Sequence, residues 1–349
     1  MQSTLKNIFL LFFVFLFKSR KKNTWNPKAP RILVVSTTAL GDTLWATPLI
    51  RAIKKSYPTA HLGVLTSKIG WEVLENNPYV DELFLLKEPL FFHFFSLFKI
   101  LKKRKFEAVL YLHASQRLPL PLCGLLNSSY LIGSVGHGKG LGSLFTHQIK
   151  NSQLHEIKRR LQIASLLGIE EDGSELNFFF TPVKKDFLSK PYIVFHPGAK
   201  EPFRRWPAEY YIELGEKLSK DFKIAIIGVP KEKALIEQIA SRIGNAQTFY
   251  HNLSLTKTAS LLQGAKLLVC NDSGPMHLAA ALQVPLLAFF IPTDSVKCGP
   301  LNYEKATVLQ EKMLCRPCLK KECLNPYCFY QIKPEIAYIE CLKLLKSNP

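Results

Sequence analysis

Three clusters of polar residues follow apolar runs, and their residue types could bind a phosphate and move a proton. The first reads Asn-Asp-Ser-Gly-Pro-Met-His-Leu at residues 271–278, after the strand-like run 267–270. Pro275 fits the first turn of a helix, where its missing N–H is no loss, and Gly274 allows a ligand to approach closely. The cluster therefore predicts a helix, 276–282, whose N-terminal N–H groups and dipole suit a phosphate.

Other side chains of this cluster could complete a sugar-phosphate site. Asp272 could accept hydrogen bonds from sugar hydroxyls, and Ser273 could donate to a phosphate together with Gly274. His277 follows about one helical turn into the predicted helix. The alternative is structural, with Asp272 as a helix cap and His277 as a half-buried histidine whose hydrogen bonds are satisfied.

The second cluster, residues 196–207, reads His-Pro-Gly-Ala-Lys-Glu-Pro-Phe-Arg-Arg-Trp-Pro and follows another apolar run. The guanidinium groups of Arg204 and Arg205 suit a pyrophosphate leaving group, because they donate in a fixed fork and stay charged. Alternatively, both are surface arginines that pair with Glu201 or Glu209.

The third cluster, Ser-Thr-Thr-Ala-Leu-Gly-Asp-Thr at residues 36–43, places Asp42 where a helix would begin after the first strand. Asp42 could be a general base that removes the proton of an acceptor hydroxyl, or an N-cap, a position that Asp commonly fills. Gly41 lets the backbone approach a substrate. With phosphate-binding residues in the other half of the chain, this arrangement indicates an enzyme that acts on nucleotide-linked substrates.

The elements that must position these clusters alternate along the chain. Strand-like runs occur at 31–36, 61–66, 82–87, 108–112 and 130–133, and again at 192–196, 223–228, 266–270 and 286–291. Helical stretches separate them, which predicts two Rossmann-like α/β domains with parallel sheets and ligands at the carboxyl ends of the strands. Pro48 lies within the helical stretch 43–56, so this helix either begins late or bends.

Length and composition agree with two domains. The chain has 349 residues, of which 47% are hydrophobic and 21% are charged, enough for two cores. The predicted organisation is a hydrophobic and basic tail (1–27), one domain at 28–175, a second at 185–330, and a C-terminal helix (331–349) that packs back across both.

The net charge of +19 and the isoelectric point of about 9.5 predict a polyanionic partner or surface. Zinc-finger and RNA-recognition signatures are missing, which disfavours nucleic acid and favours an anionic membrane. Two apolar segments run into basic residues, as expected at a membrane surface. They are residues 8–17 followed by Lys18, Arg20, Lys21 and Lys22, and residues 90–98 followed by Lys99, Lys102, Lys103, Arg104 and Lys105.

The first segment would be about 15 Å long as a helix, half of the hydrocarbon core, so it predicts an interfacial anchor at the cytoplasmic face. A signal peptide is disfavoured because basic residues occupy the place of the cleavage site. The alternatives are a frayed terminus or a core helix for the first segment, and a core helix with a solvated basic end for the second. Together the two segments predict a peripheral membrane protein.

Four of the eight cysteines cluster at Cys315, Cys318, Cys323 and Cys328. This spacing allows a small structural metal site or a pair of disulfides. A reducing compartment argues against disulfides, and the usual gap between two C-x-x-C arms is missing. No catalytic metal is predicted.

Taken together, the clusters resemble the three motifs of glycosyltransferase family 9, the bacterial heptosyltransferases of the lipopolysaccharide inner core. The matching residues are Ile32-Leu-Val-Val-Ser36 with Leu40-Gly-Asp-Thr43 and Thr47-Pro-Leu49, Phe195-His-Pro-Gly-Ala199 with Arg205-Trp-Pro207, and residues 271–278. Residues 76–82 and the pair His155-Glu156 also resemble the family's spacing. The likeness covers about residues 30–345.

This resemblance implies a GT-B fold of two Rossmann-like domains that face a central cleft, with the acceptor in 28–175 and the nucleotide sugar in 185–330. Asp42 matches the catalytic base, and Gly41 and Thr43 flank it on the acceptor side. Arg204 falls where many members carry a lysine that faces the diphosphate, with Arg205 beside it. The donor loop is matched by Asp272, Ser273, Gly274 and His277. The implied chemistry inverts the anomeric centre and uses no metal and no cofactor.

The implied reaction moves heptose from ADP-heptose to lipid A bearing Kdo, or to the same lipid with one heptose, at the cytoplasmic face of the inner membrane. Another nucleotide sugar or acceptor stays open, as does a non-catalytic scaffold that binds nucleotide sugars. A dinucleotide-dependent oxidoreductase is disfavoured because neither domain opens with G-x-G-x-x-G after a strand.

Overall fold

The computed structural model describes residues 2–17, 23–150, 153–183, 187–188, 191–251, 253–291, 293–311 and 327–348. The chain divides into two compact units, Met1–Ser174 and Glu175–Pro349. Each unit contains a six-stranded parallel sheet with helices. The predicted α/β class with two Rossmann-like domains is therefore confirmed.

In the first unit the strand order is β3-β2-β1-β4-β5-β6, and all neighbours are parallel. The strands are β1 (Arg31–Ser36), β2 (His61–Thr66), β3 (Glu82–Leu85), β4 (Ala108–His113), β5 (Tyr130–Ser134) and β6 (His147–Ile149). The pairing of β1 with β4 shifts at the end of β1, so that Ser36 aligns with His113. This shift brings His113 to the carboxyl end of β1.

The helices of the first unit are α1 (Gln2–Phe17), α2 (Leu40–Leu44), α3 (Thr47–Ser56), α4 (Lys68–Leu74), α5 (Leu90–Lys103), α6 (Pro119–Gly124) and α7 (Glu156–Ser165). Pro48 lies in the first turn of α3, and the predicted stretch 43–56 is split into α2 and α3. A proline is tolerated there because the first N–H groups of a helix have no partner within the helix.

Helix α1 belongs to the first unit. Its Val14 side chain is buried in the core of this unit, and Leu10, Leu11 and Phe13 pack against the same core. The amide N–H of Asn23 donates to the Asn127 carbonyl at 2.8 Å, which fixes the chain before β1. Over the part of the chain described, no helix is both long and apolar enough to cross a membrane.

In the second unit the strand order is β12-β11-β10-β7-β8-β9, again with parallel neighbours. The strands are β7 (Tyr192–His196), β8 (Lys223–Ile227), β9 (Ala246–Phe249), β10 (Leu267–Asn271), β11 (Leu286–Phe289) and β12 (Ala306–Leu309). The sequence reasoning missed β6, β9 and β12. Each is an edge strand, less buried than the central ones, and lacks the continuous apolar run of a strand covered on both faces.

The helices of the second unit are α8 (Ala208–Leu218), α9 (Lys233–Ala240), α10 (Leu255–Gln263), α11 (Gly274–Ala281), α12 (Ser295–Cys298) and α13 (Pro334–Ser347). Helix α13 packs against α8 and the sheet of this unit and buries Ala337, Cys341 and Leu344 in its core. Helix α11 follows β10, as predicted, but begins at Gly274, two residues before the predicted start at 276.

Candidate functional site

Asp42 lies in the first turn of α2, close to the carboxyl end of β1. Its Oδ1 accepts hydrogen bonds from Arg160 Nη2 at 3.2 Å and from His113 Nδ1 at 3.3 Å. Burial opposes ionisation of this carboxyl, but the hydrogen bond from His113 and the charge of Arg160 outweigh burial and hold its pKa well below the usual range. Ala39 is the N-cap of α2, so Asp42 is not the cap.

Arg160 is fully buried and joins Asp42 to a second carboxylate. Its Nη1 donates to Glu156 Oε2 one turn earlier in α7, and its guanidinium lies over the Trp45 ring at 5.2 Å. Arg159 also pairs with Glu156, at 2.8 Å, and donates to Ser134 Oγ at 2.8 Å. Two buried guanidinium groups thus neutralise two carboxylates.

The pKa of Glu156 shows how strong this network of ion pairs is. Burial alone would raise its pKa, yet the charge of Arg160 and the hydrogen bond and charge of Arg159 lower it to about 2. Asp42 and Glu156 are therefore both ionised at neutral pH. The arrangement holds Asp42 as a fixed, partly exposed carboxylate.

The neighbours of Asp42 face inward. Thr43 is fully buried, and its hydroxyl donates to the Ala39 carbonyl at 3.3 Å. Gly41 is buried, and its carbonyl accepts a hydrogen bond from the Trp45 amide at 2.9 Å.

In the second unit, Asn271 ends β10 and connects the two loops that carry the other motifs. Its Oδ1 accepts from the Trp206 amide at 2.9 Å, and its Nδ2 donates to the carbonyls of Pro197 at 2.8 Å and Gly198 at 3.3 Å. The side chain is fully buried. Asn271 thus positions the loop after β7 and the arginine-containing loop with respect to the start of α11.

His196, at the end of β7, contacts the same helix start. Its Nδ1 and Ser273 Oγ are joined by a hydrogen bond of 3.0 Å, and the Ser273 hydroxyl also lies 3.1 Å from the Asn271 carbonyl. Burial, helped by the charge of Arg205, lowers the pKa of His196 to about 4. His196 is therefore neutral at pH 7.

This buried histidine predicts a loss of stability in acid. Because its folded-state pKa lies below the unfolded value of about 6.5, the unfolded chain binds more protons between pH 6.5 and 4, and stability falls as the pH is lowered. The contribution of His196 is about 1.4 kcal/mol for each pH unit in this window. Urea unfolding at pH 7, 6, 5 and 4 should show a shallower pH dependence for His196→Asn than for wild type.

His251→Gln is the matched control, because His251 is an exposed histidine of the same unit. Its pH dependence should equal that of wild type. Equal slopes for wild type and His196→Asn would contradict the assignment of His196 as a buried neutral group.

The predicted arginines occupy different environments. Arg204 is about one third exposed and lies 3.4 Å from both Glu201 and Asp272. The structural alternative, in which Arg204 pairs with Glu201, is therefore also present. Arg205 turns inward, where its Nη2 donates to the Ala199 carbonyl at 3.1 Å and lies 3.9 Å from Glu232. Arg204 is therefore the arginine better placed to meet a ligand.

Asp272 and His277 are both buried. Burial raises the pKa of Asp272, although the charge of Arg204 opposes this effect. Ser273, and not Asp272, is the N-cap of α11, so the capping alternative for Asp272 is wrong. Arg204, Asp272 and Ser273 lie together at the carboxyl ends of β7 and β10, as predicted.

Within the described ranges, no group of three or more His, Cys, Asp or Glu side chains could hold a metal ion. Cys315, Cys318 and Cys323 of the predicted cluster lie outside the described residues, whereas Cys328 is buried in the second unit.

Sequence reasoning missed four side chains that act on the predicted residues. His113, Arg160, Glu156 and Asn271 were assigned no role, although residues 155–156 and 271 lay within the family resemblance. A glutamate followed three and four residues later by Arg159 and Arg160 was the available signal of a buried ion-pair network in a helix.

Comparisons with known proteins agree with this geometry. The sequence model of glycosyltransferase family 9 (heptosyltransferase) matches residues 94–328, more than half of the chain. Lipooligosaccharide heptosyltransferase 2 of Campylobacter jejuni (serotype O:2) is 25% identical over 342 residues, which cover 91% of this chain and 99% of that protein. Lipopolysaccharide heptosyltransferase 3 of Escherichia coli is 23% identical over 283 residues, covering 74% of this chain and 83% of that protein.

Solved structures show the same fold. The ADP-heptose lipopolysaccharide heptosyltransferase II of E. coli superposes with a TM-score of 0.76 at 20% identity, covering 91% of this chain and 99% of that one. A family 9 glycosyltransferase of Veillonella parvula superposes with a TM-score of 0.78 at 20% identity, covering 93% of this chain and 100% of that one. The fold is thus of the GT-B type, and the chain belongs to glycosyltransferase family 9 and is a glycosyltransferase.

Proposed function

We propose that this enzyme transfers heptose from ADP-heptose to the lipopolysaccharide inner core, onto Kdo-lipid A or heptosyl-Kdo-lipid A, with inversion at the anomeric carbon. The relatives matched over most of their length are named lipopolysaccharide or lipooligosaccharide heptosyltransferases. The observation that carries the proposal is the ionised Asp42 carboxylate, held by Arg160 and His113 beside the end of β1.

In this mechanism, Asp42 takes the proton of the acceptor hydroxyl as that oxygen attacks the anomeric carbon of the donor. The new bond joins the acceptor oxygen to this carbon, and the bond from the carbon to the β-phosphate oxygen breaks. ADP leaves with that electron pair. Attack opposite the leaving group inverts the configuration.

The second unit holds the donor in this proposal. Arg204, which is partly exposed, and the first turn of α11 after Ser273 and Gly274 balance the charge that develops on ADP. Arg205 supports the loop through Ala199, and Asp272 and His277 complete the donor pocket. No metal ion is required for this charge compensation.

The proposed acceptor is an anionic lipid, which agrees with a net charge of +19. We place the enzyme at the cytoplasmic face of the inner membrane as a peripheral protein, because ADP-heptose is a polar donor and the acceptor is membrane-borne.

Isothermal titration of ADP, UDP and GDP into the purified protein tests the donor class. ADP alone should bind with measurable affinity. Arg204→Gln should weaken ADP about tenfold or more, because a hydrogen bond to a charged group is worth about 1.5–3 kcal/mol. Arg242→Gln, at an exposed arginine of the same unit, should bind like wild type.

Preference for UDP or GDP would agree with glycosyltransferase activity but would exclude ADP-heptose as the donor. Binding of none of the three nucleotides would instead favour a non-catalytic role.

A further inference from the structure

Two helices of the first unit leave a large apolar surface uncovered. On α1 the exposed large apolar residues, each 57–79% accessible, are Ile8, Phe9, Phe12, Phe15 and Leu16. On α5 they are Phe91 (72%), Phe92 (77%), Phe95 (64%) and Ile100 (46%). We call these nine residues the aromatic face. Apart from Ile100, which follows Phe95 by five positions, their spacing of one, three and four positions puts each set largely along one side of its helix.

The two sets belong to one surface, although about 80 positions separate them in the sequence. The rings of Phe13 on α1 and Phe94 on α5 meet edge to face, with centroids 6.3 Å apart. Val14, on the opposite side of α1 from much of the aromatic face, is buried against α6. Helix α1 therefore lies along the first unit and presents its other side outward, next to that of α5.

Positive charge borders the aromatic face. Lys6 on α1 and Lys99 and Lys103 on α5 are exposed, and neither helix contains an Asp or a Glu. Asp42 is the first carboxylate side chain of the whole sequence. An apolar surface bordered by exposed lysines complements the acyl chains and negative headgroups of an anionic bilayer.

Helix α1 is fixed to the loops that follow β4 and β5. Asn7 Nδ2 donates to the Lys139 carbonyl at 3.1 Å, and Arg117 Nη1 donates to Asn7 Oδ1 at 2.7 Å. Gly140, with φ of +84°, permits this contact, because a Cβ there would lie 2.3 Å from Asn7 Nδ2. The attachment of α1 is therefore specific.

The same loops reach the candidate catalytic residue. His137, two residues before Lys139, lies against His113 with ring centroids 5.5 Å apart. His113 in turn donates to Asp42. A continuous path of contacts thus runs from the aromatic face to the carboxylate.

We propose that the aromatic face binds the surface of an anionic phospholipid bilayer, with α1 and α5 lying in the interfacial plane. This inference rests on the proposed function for the identity of the acceptor. Its consequence is that the loops around Asp42 are held at the membrane surface, where a lipid-linked acceptor presents its sugar. Attraction by the bordering lysines and burial of the aromatic rings act together.

Co-sedimentation of the full-length protein with vesicles tests this surface. Phosphatidylcholine vesicles with phosphatidylglycerol should bind it, and pure phosphatidylcholine vesicles should bind it much less. The triple variants Phe9→Ser/Phe12→Ser/Phe15→Ser and Phe91→Ser/Phe92→Ser/Phe95→Ser should each lower the partition coefficient about 100-fold or more. Ile336→Ser/Ile339→Ser, at exposed positions of α13, should bind like wild type.

Loss of binding in both triple variants, with unchanged circular dichroism, supports the combined face. Loss in only one of them, or in neither, overturns it. So does a dimer in solution that the triple variants convert to monomers. If a triple variant does not fold, the single variants Phe15→Ser and Phe92→Ser, at the most exposed rings, should each reduce binding about tenfold.

Vesicle binding requires no sugar donor, so the two proposals can fail separately. Transfer to a delipidated acceptor without vesicle binding would overturn this inference alone. Vesicle binding without any sugar transfer would overturn the proposed function alone.

Discussion

Asp42→Asn is expected to lower kcat about 10³-fold, within the range by which general bases accelerate reactions. Asparagine keeps the shape of the side chain and can still accept hydrogen bonds from Arg160 and His113. It cannot take a proton from the acceptor hydroxyl. Because the donor is assigned to the second unit, the affinity for ADP should stay unchanged.

The measurement is the initial rate of ADP release with saturating donor and acceptor. Glu75→Gln is the control, since Glu75 is an exposed carboxylate of the same unit at the end of α4, and it should retain the wild-type rate. An Asp42→Asn enzyme that folds normally and works within tenfold of wild type would exclude Asp42 as the base.

Arg160→Met should destabilise the first unit by about 3–5 kcal/mol, because it removes the buried guanidinium that pairs with both Asp42 and Glu156. Glu156 retains Arg159, which places the expected value at the lower end of this range. Urea unfolding followed by tryptophan fluorescence measures the loss. Three of the four tryptophans, Trp25, Trp45 and Trp71, belong to the first unit.

Lys158→Met on the same helix is the matched control. Lys158 pairs with Glu171 at the surface, so its loss should change stability by less than about 1 kcal/mol. Equal effects of the two substitutions would contradict the buried network.

Arg160→Met should also change the stability of the protein in acid. In wild type, the pKa values of Asp42 and Glu156 are lower in the folded than in the unfolded state. Their stabilisation is therefore complete above the unfolded pKa values of about 4 and is lost as the pH falls below them. Arg160→Met should lose less stability between pH 5 and 2 than wild type does.

Local patterns in the sequence were sufficient to predict the central strands and the start of α11. The run Ile32-Leu-Val-Val35 is continuous and apolar because β1 is buried on both faces. Ser273-Gly274-Pro275 predicted a helix start because proline fits the first turn of a helix, where its missing N–H is no loss. Three of the four edge strands, β6, β9 and β12, escaped prediction because partly exposed strands tolerate polar residues such as those of β9.

Contacts between distant positions could not be predicted. Arg160 and Asp42 lie 118 positions apart and meet only because α7 packs beside β4 and β5. Asn271 is part of a motif, but its role in positioning the loop after β7 depends on the carbonyls of Pro197 and Gly198, which the fold brings to it. The aromatic face likewise arises only when α1 folds against the unit that contains α5.

The most direct test is a transfer assay with purified enzyme, ADP-heptose and Kdo-lipid A or heptosyl-Kdo-lipid A, analysed by mass spectrometry and by NMR of the new linkage. The account predicts that wild type adds one heptose to one of these acceptors, releases one ADP for each heptose and inverts the anomeric configuration, whereas Asp42→Asn does so about 10³-fold more slowly. Transfer with retained configuration, or no transfer to either acceptor by an enzyme that binds ADP, would contradict it.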